Sequence, residues 1–309
     1  MTRIGKGFFM LMSPPNLMAS LIPMAVGFAA ALQTLGRAAI SDVIWFLFAV
    51  FAMVLIETGK NTVNEYFDYL SGTDRFIDEA HLTPFSGGRR VLPSGALTEK
   101  EVIVIGVICF GIAIGAGLIM VFFRTFLIFW IGVLGVVISI CYTLPPFKLC
   151  YRALGEVAVG LVYGPLIVLG SYTLLTRQYA LTPLLLSLPI CFLVMNILVI
   201  NEFPDYEADL RAKKRNLVVV LGKQRAIYLY SALFCLAYLS VVPLLLYTRN
   251  PLFLLLLLTL PIAVKAVLNC KKHYDTIPLL TASNKMTIAI HALTGVFMIL
   301  AIVWGYRFS

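Results

Sequence analysis

Long apolar stretches recur along the whole chain and are separated by short polar segments. Nine of them are long enough to cross about 30 Å of hydrocarbon as helices: residues 16–35, 41–62, 102–123, 125–143, 154–175, 182–202, 225–247, 250–268 and 286–306. The pattern predicts an all-α polytopic membrane protein, with residues 1–309 forming one domain. Pro14, Pro15 and Pro23 interrupt the first apolar run, and no small-residue cleavage site clearly follows it. That run is therefore expected to stay as the first helix rather than act as a cleaved signal peptide.

Composition agrees with the pattern. Hydrophobic residues make up 61% of the chain and charged residues 13%, and the mean hydropathy is +0.95. Lys and Arg distribute one-sidedly across the proposed spans. The N-terminus, the loops after the second, fourth, sixth and eighth spans and the span ends that adjoin them hold 19 of the 24, and each segment on the other side holds a single Arg. Cytoplasmic loops are enriched in these residues, so the N-terminus is expected on the cytoplasmic side, and an error of one span would scramble the parity. The net charge of +9 then reflects topology and anionic lipid headgroups rather than nucleic acid.

Two polar sets stand at the ends of spans on that same side. Asn201, Asp205 and Asp209 recur at every fourth residue, which places them on one helix face with about 6 Å of rise between successive members. Asn64, Asp68 and Asp74 form the other set, with Asn61 nearly one turn earlier. Carboxylates are costly near lipid unless they face a cavity, a partner or a metal. Only Asp42 among the carboxylates falls on the outer side, and Glu57 is the one most clearly inside a span. A cation-coupled transporter needs ionisable groups at several depths, so this distribution favours a pocket opening at one face. Facing carboxylates repel, and a divalent cation held by hard oxygens is the simplest compensation. Mg²⁺ fits, being commonly held by carboxylates together with substrate phosphates. Lys60, Arg75, Arg89, Arg90, Lys214 and Arg215 are interleaved with the acids and suit the remaining phosphate oxygens. Such a rim on an apolar bundle suits a ligand with a diphosphate head and a hydrocarbon tail.

Other residues carry less. The six cysteines show no C-x-x-C pair, so they read as small buried hydrophobes. His81 and His273 read as surface residues and His291 as a packed or hydrogen-bonded one. Pro204 is expected to interrupt the helix that carries the second polar set. Among the aromatic residues, Tyr142 and Tyr163 stand apart as candidates for the pocket.

The two polar sets, read in full as Asn64-Glu-Tyr-Phe-Asp68-Tyr-Leu-Ser-Gly72-Thr-Asp74 and Asn201-Glu-Phe-Pro-Asp205-Tyr-Glu-Ala-Asp209, resemble the aspartate-rich motifs of the UbiA superfamily of intramembrane prenyltransferases. Further resemblance runs through Phe85 to Gly95, Tyr142-Thr-Leu-Pro-Pro-Phe-Lys148, Leu154-Gly-Glu156, Gly164-Pro-Leu166 and Lys214 to Gly222. It implies nine helices around a central cavity and Mg²⁺-dependent transfer of a polyprenyl group to an acceptor. The spacing of Asp68 and Asp74, with Gly72 between them, is similar to the branch that prenylates 1,4-dihydroxy-2-naphthoate on the way to menaquinone. Arg90-Val-Leu-Pro-Ser-Gly95 partly resembles the 4-hydroxybenzoate branch. A homogentisate-like ring or a glycerol-phosphate lipid is a further alternative acceptor.

On this resemblance Asn64, Asp68, Asp74, Asn201, Asp205 and Asp209 hold Mg²⁺, while Lys60, Arg90, Lys148, Lys214 and Arg215 contact the diphosphate. Asn61, Tyr142 and Tyr163 line the acceptor or prenyl pocket, and Tyr142 either presents its ring face to the developing allylic cation or orients the acceptor. Short loops and menaquinone chemistry suggest a prokaryotic plasma membrane, with the site on the cytoplasmic side.

Overall fold

A computed structural model describes residues 2–72, 83 and 90–305. Eight of its helices are long and apolar enough to cross a membrane: α2 (its apolar part Leu17–Leu35), α3 (Ile40–Ser71), α4 (Glu99–Phe123), α6 (Gly155–Thr176), α7 (Leu181–Arg211), α9 (Lys223–Thr248), α10 (Pro251–His273) and α11 (Ile277–Gly305). An N-terminal helix, α1 (Arg3–Met12), precedes them, and a short helix, α8 (Leu217–Leu221), lies between α7 and α9. The stretch expected as a fourth full span is shorter: α5 (Ile128–Cys141) has 14 residues, about 21 Å of rise. Pro145 and Pro146 follow closely and cannot extend it.

The helices that carry the polar sets are longer than the apolar pattern alone indicates. α3 runs 32 residues to the left-handed Gly72 that caps it, so Asn64 and Asp68 lie on its last turns. Asp74 falls beyond the cap and outside the described residues, as do Arg75, His81 and Arg89.

α7 continues unbroken through Pro189 and Pro204 to Arg211, which corrects the expected interruption. Pro204 has no N–H to offer the Ile200 carbonyl one turn earlier. Asn284 of α11 supplies the missing donor, its Nδ2 lying 3.3 Å from that oxygen. A membrane interior tolerates proline in a helix when a neighbour satisfies the freed carbonyl in this way. Pro165 is accommodated differently, by a wide π turn at Val162–Leu166 within α6.

Close helix contacts rest on small residues. A Cβ on Gly27 of α2 would stand 2.4 Å from the Val168 carbonyl oxygen of α6. One on Gly106 of α4 would stand 2.3 Å from Thr62 Oγ1 of α3. Backbones approaching this closely gain packing that lipid cannot compete with. The cysteines follow expectation in part: Cys109, Cys150, Cys191 and Cys270 are buried, Cys141 is half-buried, and Cys235 is exposed.

The two ends of the bundle differ chemically. At one end Arg124 donates to Asp42 Oδ1 at 2.7 Å and to the carbonyls of Leu174 and Leu175 at 3.0 and 3.1 Å. The opposite end gathers Asp68, Lys148, Cys150, Asp209 and Lys214, in keeping with the charge parity of the loops.

Candidate active site

Two helices and two loops build the polar end. From α3 comes Asp68, 6% exposed, which accepts the Asn64 amide on Oδ2 and the Tyr151 hydroxyl on Oδ1 at 3.4 Å. Ser71 Oγ, 3.2 Å from the same hydroxyl, shares that one proton, and Lys148 Nζ stands 5.0 Å from the Tyr151 ring centre.

The loop that carries Lys148 and Tyr151 is held by its own backbone. Cys150 N–H donates to Tyr142 O at 3.0 Å and Lys148 N–H to Leu144 O at 3.0 Å. Gly155 lets the Tyr142 ring close over the start of α6, because a Cβ there would lie 3.0 Å from Cys150 Cα and 3.3 Å from Tyr142 Cε2.

From α7 comes Asp209, 2% exposed. Asn216 Nδ2 donates to its Oδ2 at 2.7 Å, and Lys214 Nζ stands 3.6 Å from its Oδ1. Asn216 also caps α8, its Oδ1 accepting Val219 N–H at 2.8 Å. Burial works against the Lys214 charge, but the Asp209 and Asp68 carboxylates outweigh it and hold the ammonium well above the ordinary lysine range. One cation thus senses an acid from each helix and supplies part of the compensation that the sequence assigned to a metal alone.

The two loops are tied together. Glu156, fully buried at the start of α6, accepts Leu217 N–H on Oε1 at 2.5 Å, and Arg152 pairs with Arg215 through a parallel backbone bridge. Glu202 is buried against Glu156.

The remaining expected residues are placed as follows. Asn201 Oδ1 accepts the Asn284 amide at 2.8 Å, and Asp205 is half-buried one turn later on α7. Arg90 is half-buried two residues before Leu92, whose N–H is fixed to Glu65 of α3 at 2.9 Å. Arg215 is exposed. Asn61 is buried and donates to Leu11 O of α1 at 2.8 Å.

Lys60, expected on diphosphate, donates to Glu57 Oε2 at 2.6 Å and to Tyr163 Oη at 2.5 Å inside the bundle. His291 is buried as expected, but neither ring nitrogen has a hydrogen-bond partner among the described residues. Tyr151, Asn216 and Glu156 escaped the sequence reading. Their roles come from hydrogen bonds across long stretches of chain, although Glu156 and Asn216 lie inside recognised motifs.

Beyond this polar end lies an apolar cavity of about 400 Å³, lined among others by Ala52, Ile56, Glu57, Met120, Ile131 and Gly170. Among the described residues no group of three carboxylate, thiol or imidazole side chains forms a ready metal cluster. The donors are nonetheless hard oxygens, Asp68 of α3 with Asp205 and Asp209 of α7, and that chemistry fits Mg²⁺.

The profile of the UbiA prenyltransferase family matches residues 20–277. A 1,4-dihydroxy-2-naphthoate octaprenyltransferase of Bacillus subtilis is 28% identical over 265 residues, covering 85% of this chain and 82% of that protein. A UbiA prenyltransferase domain-containing protein 1 of Xenopus tropicalis is 26% identical over 301 residues, covering 96% and 81%. A solved UbiA homologue of Archaeoglobus fulgidus, bound to DMAPP and Mg²⁺, superposes with a TM-score of 0.71 at 15% identity over 97% of this chain and 98% of that one. With a family profile spanning most of its length, the chain belongs to the UbiA prenyltransferase family and is a prenyltransferase.

Proposed function

We propose that this protein transfers a polyprenyl group from a prenyl diphosphate to 1,4-dihydroxy-2-naphthoate in menaquinone biosynthesis, with Mg²⁺ as cofactor. The observation that carries the reading is Lys214, which senses Asp68 of α3 and Asp209 of α7 at the rim of an apolar bundle. The acceptor rests on the six-residue spacing of Asp68 and Asp74 and on the Bacillus subtilis relative. Residues 1–309 act as one membrane domain, with the lysine- and arginine-rich side and the site facing the cytoplasm.

Asn64, Asp68, Asp74, Asn201, Asp205 and Asp209 hold the metal. Bound there, Mg²⁺ neutralises the charge that develops on the leaving diphosphate. Arg90, Lys148, Lys214 and Arg215 donate to the same oxygens and fix the head group at the rim. Asn64, Tyr151 and Asn216 orient Asp68 and Asp209, so the carboxylates need not reorganise during the reaction. The departing diphosphate leaves an allylic cation, which an electron-rich ring carbon of the acceptor attacks. That carbon's carboxylate leaves as carbon dioxide. Tyr142 presents its ring to the cation, and the apolar bundle keeps out water that would quench it.

The test is incubation of the purified protein in liposomes with Mg²⁺, a long-chain prenyl diphosphate and 1,4-dihydroxy-2-naphthoate, with 4-hydroxybenzoate in parallel and mass spectrometry of the lipid products. A prenylated naphthoquinol with loss of carbon dioxide is expected. Prenylation of 4-hydroxybenzoate alone would move the chain to another acceptor.

A further inference from the structure

Glu57 is the centre of a polar cluster inside the bundle. Its Oε1 accepts Ser20 Oγ at 2.9 Å and Tyr163 Oη at 2.6 Å, and its Oε2 accepts Lys60 Nζ at 2.6 Å. Lys60 donates a second time, to Tyr163 Oη at 2.5 Å. An ammonium has three N–H groups, so one donor is left on a side chain that is 23% exposed.

Lys60, Asn64 and Asp68 recur at every fourth residue of α3 and share its face. Lys60 therefore springs from a point about 12 Å along the axis inward from Asp68. Glu57, its partner, also lines the apolar cavity, so the cluster sits where the polar rim gives way to the hydrocarbon compartment.

A second observation falls at the same level. His291 of α11 is 2% exposed, and both its nitrogens lack a partner among the described residues. Gly295, one turn beyond it, packs on Ile22 of α2, where a Cβ would lie 2.2 Å from Ile22 Cγ2. Ser20, which bonds Glu57, is two residues from Ile22. His291 and the Glu57 cluster are thus within about one helical turn of each other in depth. Buried polar groups without partners are rare, and each one calls for a ligand, a water or a catalytic role.

We infer that Lys60, locked by Glu57 and Tyr163, and His291 form the acceptor-binding level of the site and hydrogen-bond uncharged ring oxygens, hydroxyl or carbonyl, of an aromatic acceptor. The inference rests on the prenyl-transfer reading above and deepens it. A ring that attacks the first prenyl carbon must lie just inward of the diphosphate, which brings its oxygens to this level. Glu57 already neutralises Lys60, so the free N–H suits an uncharged oxygen better than a second anion. A neutral imidazole has one donor and one acceptor and can pair with a hydroxyl.

The experiment is steady-state kinetics of the purified protein with Mg²⁺, varying 1,4-dihydroxy-2-naphthoate and prenyl diphosphate separately. Lys60→Met and His291→Phe are each expected to raise the acceptor KM roughly ten- to hundredfold, the loss of a strong hydrogen bond, with the KM for prenyl diphosphate within about twofold. Lys60→Met alone strands Glu57, so the pair Glu57→Gln with Lys60→Met is measured alongside it and removes both charges together. His291→Phe tests the level without touching that pair. A raised prenyl diphosphate KM with an unchanged acceptor KM would return Lys60 to the diphosphate and overturn the inference. Unchanged kinetics in every folded variant would overturn it as well. Absence of prenyl transfer by the wild-type protein would overturn the underlying reading itself.

Discussion

Glu156 Oε1 accepts the backbone N–H of Leu217 at 2.5 Å, joining residues 61 positions apart. That bond, together with the Arg152–Arg215 backbone bridge, sets the loop carrying Lys148 and Tyr151 against the loop carrying Lys214 and Asn216, and so links the side chains around Asp68 to those around Asp209. Glu156→Ala leaves the part-buried Leu217 N–H unpaired, which is expected to cost up to about 1–3 kcal/mol. Glu156→Gln keeps a carbonyl acceptor and is expected to recover part of the loss. Thermal unfolding in detergent, with turnover measured on the same samples, checks both.

Asp209→Asn is expected to lower turnover by about a hundredfold or more, because it removes a carboxylate from the proposed metal set and the partner of Lys214. Lys214 has its folded pKa raised above the unfolded value. Its contribution to stability is therefore fully present below the ordinary lysine range and is lost as pH rises through the higher folded value. Between about pH 6 and 9 the wild-type protein should show no loss of stability from this group, since an unperturbed lysine titrates near 10.4. Unfolding midpoints of the wild type and Lys214→Met across that range are the check: their difference should stay constant.

The apolar cavity has room where glycines line it. A Cβ on Gly132 or Gly117 would meet no atom within 4 Å, and both residues belong to the cavity wall. Gly132→Phe fills that space and is expected to lower kcat/KM for long prenyl diphosphates by about tenfold or more while sparing short ones. Turnover of a chain-length series by wild type and variant reads this directly. Equal loss at every length would show that the tail lies elsewhere.

Cys150 is buried near Asp68 and Asp209. Burial, with the Asp68 and Asp209 carboxylates adding to it and Lys214 opposing, pushes its thiol up to about 12. The thiolate is the reactive form, so maleimide at pH 8 is expected to leave Cys150 unmodified in the folded protein and to label it after denaturation. Peptide mass spectrometry with and without denaturant gives the comparison.

The apolar pattern alone determined that the chain is a helical membrane protein. It did so because spanning about 30 Å of hydrocarbon demands long unbroken apolar runs. The charge parity of the loops and the periodic polar set of Asn201, Asp205 and Asp209 were equally legible, since both depend on position along the chain and on helix geometry. Pro204 misled because local propensity opposes proline in a helix, whereas the donor that rescues it, Asn284, lies 84 positions away from the freed carbonyl of Ile200. The shortness of α5 and the reach of α3 to Ser71 depend on caps and turns that hydropathy does not see. Lys60 shows the same limit at the level of a side chain: beside the acidic motif it read as a phosphate ligand, and only packing could show that Glu57 and Tyr163 are its hydrogen-bond partners. Sequence periodicity places residues on faces and at depths. Which buried charge finds which partner was decided by the tertiary structure, because an unpaired charge inside a membrane is costly and its partner is whatever neighbour the fold brings within hydrogen-bond reach.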